Sequence, residues 1–310
     1  MREKVNGFVG VMAVAILCMV SGLCMVWGIA PVVLAVYVAA CAVCGRYMIT
    51  CIGCAAGVAA GSMGIAGLLH AYEYMIPGPV YSGVMVTEKY LVLLGLAMCL
   101  MKIVYSRNPG SYVRVIVVMS AAVLMGNIVV YADNMLMAAA YGVVEAAIFM
   151  CASVILKPGI GLLYTYICGD ASDVERDESW NISQGIVSLM ALAAVVLWVV
   201  PGEDIYGVNP AFMLALVLIL YAVYRTGAVY GCGMAAVAGS IVSVKLNDSR
   251  WLMWMLLVTL VMLIGRALTG RRKVSASLFY VLGCVLASVA DGTVPVSYTH
   301  LRAHETDQYL

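Results

Sequence analysis

Charge is scarce in this 310-residue chain: 11% of its positions are Asp, Glu, Lys or Arg, whereas a soluble domain carries about a quarter. That scarcity excludes water as the solvent for most of the molecular surface. The net charge of +1 leaves no bulk attraction for nucleic acid or for a strongly acidic partner. Histidine is nearly missing, with three in all; His300 and His304 fall in the C-terminal tail, so no metal set can be assembled. His70, beside Tyr72, Glu73 and Tyr74, reads as an interfacial residue at a helix end. There is no Walker loop, no G-x-S-x-G elbow and no H-E-x-x-H pair, and no cofactor is expected for this chain.

What fills the chain instead is apolar sequence, 65% of all residues. Glycine, proline and charge divide it into segments at 7–28, 31–45, 47–69, 90–106, 115–131, 135–156, 185–200, 210–224, 227–244, 251–268 and 274–290. Several approach or exceed the roughly 20 apolar residues that cross a bilayer core. The expected fold is therefore all-α, a polytopic transmembrane helix bundle of about ten to eleven spans, with segments two and three short enough to form a hairpin. The first segment reads as a retained helix, because similar spans follow and no A-x-A-like site ends it.

Lys and Arg set the threading, since cytoplasmic loops retain positive charge while acidic residues count for little. With the N-terminus inside, thirteen basic residues fall on the cytoplasmic side: Arg2, Lys4, Arg46, Lys102, Arg107, Arg114, Lys157, Arg176, Arg225, Arg266, Arg271, Arg272 and Lys273. Three fall outside: Lys89, Lys245 and Arg250. Lys102 and Arg266 are expected to snorkel to the headgroups as anchors.

The longest polar insertion, 157–184, carries Asp170, Asp173, Glu175, Arg176, Asp177 and Glu178 and is expected to be a cytoplasmic loop. It separates a first bundle half, 1–156, from a second, 185–293. Asn181-Ile182-Ser183 matches a glycosylation sequon on the side where none is used. Arg46 ahead of CIGCAAGVAAG and Arg225 ahead of YGCGMAAVAG fit either a duplicated unit or shared Gly/Ala composition. The tail 294–310 breaks from everything upstream, resembles adapter read-through in SYTHLRAHET, and is expected to be foreign, with the natural chain continuing past about Thr293.

Three constellations carry candidate roles. Gly53, Gly57, Gly61, Gly64 and Gly67, and later Gly227, Gly231 and Gly239, have the small-residue spacing that lets helices approach closely, within one chain or between copies. The eleven cysteines lie almost all in apolar segments; Cys41, Cys44, Cys51 and Cys54 mimic a paired C-x-x-C, but their spacing and apolar setting favour packing over metal. Glu145, in AYGVVEAAIFM, is the one acidic residue well inside a span, and a carboxyl at membrane depth demands a partner. A proton or cation relay is one reading of it. A neutral acid hydrogen-bonded to a neighbouring helix is the other.

The stretches AAYGVVEAAIFMCASVILKPG (139–159), ISQGIVSLMALAAVV, ALVLILYAVYRTGAVYGCGMAAVAGSIVS and LVTLVMLIGRALTGRRKVSASLFYVLGCVLAS resemble the N-terminal membrane region of the stage II sporulation protein E family. That resemblance implies about ten membrane helices ahead of a cytoplasmic regulatory region and a metal-dependent serine/threonine phosphatase domain. None of the phosphatase's aspartate motifs is present, so no catalytic residue carries over. The long acidic loop departs from the tighter connection the family implies. The implied role is a multi-pass anchor in a bacterial cell membrane, localising and assembling a phosphatase at the division septum, with septal proteins and the bilayer as partners. The competing reading is a small-solute or ion permease built around Glu145. A third is a scaffold that forms a homo-oligomer through the Gly53 to Gly67 face.

Overall fold

The computed structural model describes residues 2–23, 31–63, 83–132, 134–168, 182–200, 202, 209–269 and 273–290. These form eleven α-helices and, among the described residues, no strand. They are α1 (Arg2–Gly22), α2 (Pro31–Cys44), α3 (Tyr47–Met63), α4 (Gly83–Leu100), α5 (Tyr112–Val130), α6 (Met135–Cys168), α7 (Ile182–Val199), α8 (Pro210–Arg225), α9 (Ala228–Leu246), α10 (Arg250–Thr269) and α11 (Lys273–Ala290). Each apolar segment of the sequence overlaps one of them, though the bounds differ by several residues at α1, α4 and α6. Among the described residues four, α5, α6, α9 and α10, are long and apolar enough to cross a membrane. Gly64, Gly67, His70, Asn181 and the tail lie outside the described residues.

The chain divides into two compact units, Met1–Val199 and Val200–Leu310. The division thus falls after α7 and not at the polar stretch that begins at Lys157. The reason is local to α6. Lys157 and Pro158 read as a helix end, yet α6 runs through both to Cys168. A proline inside a helix removes one donor and crowds the carbonyl four residues back, and a membrane helix tolerates it where a neighbour supplies new partners. Here the Gly159 N–H donates to the Ser188 hydroxyl of α7 at 2.5 Å, and a Cβ at Gly159 would lie 2.8 Å from the Ser188 backbone. The apolar run GIGLLYTYIC then extends the helix along α7. Ser188→Ala removes this interhelical bond and is expected to cost about 0.5–1.5 kcal/mol, read as a lower unfolding temperature with unchanged helicity.

In the first unit α2 is apolar on all sides and is buried from Pro31 through Cys41. A helix hydrophobic all round belongs at the centre of a bundle. It packs on α6 and is flanked by α1, α3 and α4. Gly45, at φ +63°, ends it with its N–H on the Cys41 carbonyl at 3.0 Å, a left-handed turn that starts α3 two residues later. Helix α1 lies against α3 with almost no side chain between them. A Cβ on Gly53 would sit 2.7 Å from the Ala15 carbonyl oxygen, and one on Gly22 would sit 2.5 Å from the Gly57 backbone. Helices α4, α5 and α6 complete the unit, α4 ending in a π turn, Met101–Tyr105, where the Ser106 N–H reaches the Met101 carbonyl at 3.0 Å.

The second unit packs α9 on α10, α10 on α11 and α8 on α9. Gly227 and Asn247 turn the chain with positive φ, +109° and +50°. Gly231 and Gly239 again admit close neighbours: added Cβ atoms would lie 3.2 Å from Val223 Cα and 3.1 Å from Leu252 Cα. Asp248 caps the start of α10, accepting from the Arg250 N–H at 3.0 Å and pairing with its guanidinium at 2.8 Å. Those bonds from Arg250 hold the Asp248 carboxyl below its usual range. A lowered folded-state value means that this contribution is complete above the ordinary aspartate pKa of about 3.9 and fades as pH falls through the depressed value. Because Arg250 is 57% exposed, the contribution is below about 1 kcal/mol. Arg250→Ala should therefore lower the stability of this unit by less than about 1 kcal/mol above about pH 4, the difference fading as pH falls further, as followed by thermal unfolding.

Large apolar side chains point outward along the bundle helices: Leu136 is 83% exposed, Val144 56% and Ile155 45% on α6 alone. A hydrocarbon solvent accommodates such a surface without cost, and water does not.

Candidate functional site

Glu145 stands on α6, ten residues from the helix start, and faces α4 and α5. Its Oε2 atom gathers three donors. Lys89 Nζ of α4 lies 2.8 Å away, Asn127 Nδ2 of α5 lies 2.7 Å away, and the Tyr90 hydroxyl of α4 donates at 3.0 Å. Lys89 Nζ also donates to Asn127 Oδ1 at 3.1 Å and lies 4.7 Å from the centre of the Tyr90 ring. Asn127 completes its own bonding by donating to the Val123 carbonyl one turn back, at 3.1 Å.

Burial is uneven across the four. Tyr90 and Asn127 are sealed, and the side chains of Lys89 and Glu145 are 4% and 18% exposed. Gly126 makes room for the lysine stem: a Cβ there would sit 3.2 Å from Lys89 Cγ. One turn before Glu145, Tyr141 stacks on Tyr131 at the end of α5, with ring centres 5.3 Å apart and planes 16° from parallel. The arrangement is a neutral ion pair, one positive and one negative charge, with the phenol's donor and one of the amide's two spent on it. Breaking such a pair by removing one member is far more costly than never having built it.

Sequence reasoning singled out Glu145 and missed its partners. It placed Lys89 in an outer loop because the apolar segment was read as starting at 90; α4 starts at Gly83, so Lys89 lies inside the helix. The physical reason is that the lysine stem is itself apolar and its charge is cancelled locally, which a count of loop charges does not register. Asn127, the one amide in α5, and a lysine within helical reach of an apolar run were the available signals, because a buried carboxyl requires a donor.

Two other basic residues also bond within the protein. Lys245, expected outside, lies in the last turn of α9, buried, and donates to the Val200 carbonyl. Arg266, expected to snorkel, donates to the Val223 carbonyl and lies against Gly227. That carbonyl is free because the Gly227 N–H bonds to Ala222 instead, and the positive φ of Gly227 leaves space for the guanidinium. Lys102, within the π turn, is exposed.

Of the cysteine pattern, Cys41 Sγ lies 3.2 Å from the Thr50 hydroxyl and Cys54 is buried in contact with the Val33 carbonyl at 4.0 Å; the described cysteines are all free thiols. No group of three or more His, Cys, Asp or Glu is placed to hold a metal ion among the described residues. Gly53 and Gly57 meet α1 of the same chain, and Gly61 is buried at the end of that stripe. Gly227, Gly231 and Gly239 meet Arg266, Val223 and Leu252 within the second unit.

Fold and site together define an α-helical membrane protein with an ion pair buried between its helices. Comparison with protein-family models, with curated proteins and with solved structures finds no match for the chain.

Proposed function

We propose that this chain is a multi-pass membrane anchor, threaded with its N-terminus in the cytoplasm of a bacterial cell, that localises and assembles a sporulation serine/threonine phosphatase at the division septum. The observation that carries the anchoring part is the closed charge balance around Glu145. Its carboxylate, the candidate for moving a solute, is engaged by Lys89, Asn127 and Tyr90 of its own chain. Such a cluster rigidifies three helices, which suits a platform. The permease reading needs the same carboxylate released to a substrate. The phosphatase part is supported by the resemblance of 139–159 and of the stretches between Ile182 and Ser288 to the membrane region of that family.

Reading the genomic frame past codon 293 tests the assignment. An in-frame cytoplasmic region ending in a phosphatase domain is the expected result, together with septal fluorescence from a tagged full-length protein during sporulation. A stop codon soon after, with no phosphatase-like extension, overturns it. Reporter fusions after Arg225 and after Arg272 should both read cytoplasmic; opposite readings overturn the threading.

A further inference from the structure

The quartet has the chemistry of a binding site already filled by part of the protein. Around Lys89 Nζ stand a carboxylate oxygen at 2.8 Å, an amide oxygen at 3.1 Å and the face of a phenol ring centred 4.7 Å away. These are acceptors that a cation of single charge takes when stripped of water, the ring through its negative face. One carboxylate balances one positive charge; hard divalent ions ask for six or more oxygens and more negative charge. We propose that Glu145, Asn127 and Tyr90 form a monovalent-cation site, in which the Lys89 ammonium is the resident cation and a free alkali-metal ion competes for its place.

Two features argue that the oxygens are held in place by the protein and not by the lysine. Asn127 Nδ2 is fixed between the Val123 carbonyl and Glu145 Oε2, which turns Oδ1 toward the ammonium position. The Tyr90 hydroxyl pins Glu145 Oε2 from a second direction. Removing the lysine therefore leaves a preorganised cage with one uncompensated negative charge.

A way in is also present. All three donors converge on Oε2, and among the described residues none reaches Oε1. Glu145 is the one member with appreciable exposure, 18%, while Lys89 is held at 4%. An entering ion would meet the Glu145 carboxylate, the more exposed member of the pair, before it reached the ammonium. The proposal does not depend on the anchoring role.

The test uses the full chain purified in detergent, with sodium, potassium or choline chloride at equal ionic strength. Lys89→Met should unfold about 5 °C higher in saturating sodium or potassium than in choline, a shift of the size expected for ligand at many times its dissociation constant. The double variant Lys89→Met, Glu145→Gln should show no such difference. A folded Lys89→Met protein that responds equally to all three salts overturns the proposal. Should that variant fail to fold, the wild-type protein decides: labelling of Lys89 by an amine-reactive reagent should rise severalfold and saturably with the alkali ion. Labelling that is the same in choline as in sodium and potassium overturns it.

Discussion

Lys89→Met, measured in choline buffer, is expected to destabilise the first unit by about 3–5 kcal/mol, and adding Glu145→Gln to recover most of that loss. The single replacement strands a carboxylate whose side chain is 18% exposed between α4, α5 and α6, with only the Asn127 amide and the Tyr90 hydroxyl still bonded to it. The double replacement removes the charge and keeps the shape. Hydrogen bonds between membrane helices are individually worth much less, about 0.6 kcal/mol on average and under about 2 at most. Tyr90→Phe and Asn127→Ala should therefore each cost clearly less than Lys89→Met. Thermal unfolding in detergent ranks the four variants. If the double variant were as unstable as the single one, the lysine would matter for its packed stem over Gly126 and not for its charge.

Gly57→Leu should cost about 3 kcal/mol or more, at the upper end of overpacking, because the obstacle is backbone. A Cβ at Gly57 would strike the Met19 carbonyl oxygen and come within 2.9 Å of Gly22 Cα, so α1 and α3 must move apart. Neither helix can compensate by a rotamer change. Gly95 supplies the control: nothing lies within 4 Å of a Cβ built there, and Gly95→Ala should be neutral or stabilise α4 by up to about 1 kcal/mol. Light scattering on the same samples separates this account from the scaffold reading. Loss of stability before any change in self-association places the glycine stripe inside one chain. A stable Gly57→Leu protein that merely dissociates would place it between copies.

How far the candidate site could be read in advance depended on what each residue does alone. Glu145 stood out because a carboxyl in an apolar run is anomalous without reference to anything else. Lys89 did not, since its neighbours Glu88 and Thr87 make the segment look like a loop edge. Tyr90 and Asn127 carry no anomaly by themselves; they acquire a role only when α4 and α5 are set beside α6. The course of α6 shows the same limit. Pro158 ends a helix by local rules, and it is the packing of Gly159 on Ser188, 29 residues later in the chain, that holds this one together past it.

Composition and apolar run length alone determined the all-α class and a helix overlapping every one of the eleven segments, because backbone surrounded by lipid must satisfy its own hydrogen bonds, which helices do. Tertiary structure alone decided which helices meet, that Lys89 is the partner of Glu145, and that Gly53 and Gly57 serve α1 of the same chain. The reason is the range of the forces involved. Solvent preference and backbone hydrogen bonding act within a few residues of sequence, whereas charge pairing and close contact act across a few ångströms of space, between positions that for Lys89 and Glu145 are 56 residues apart.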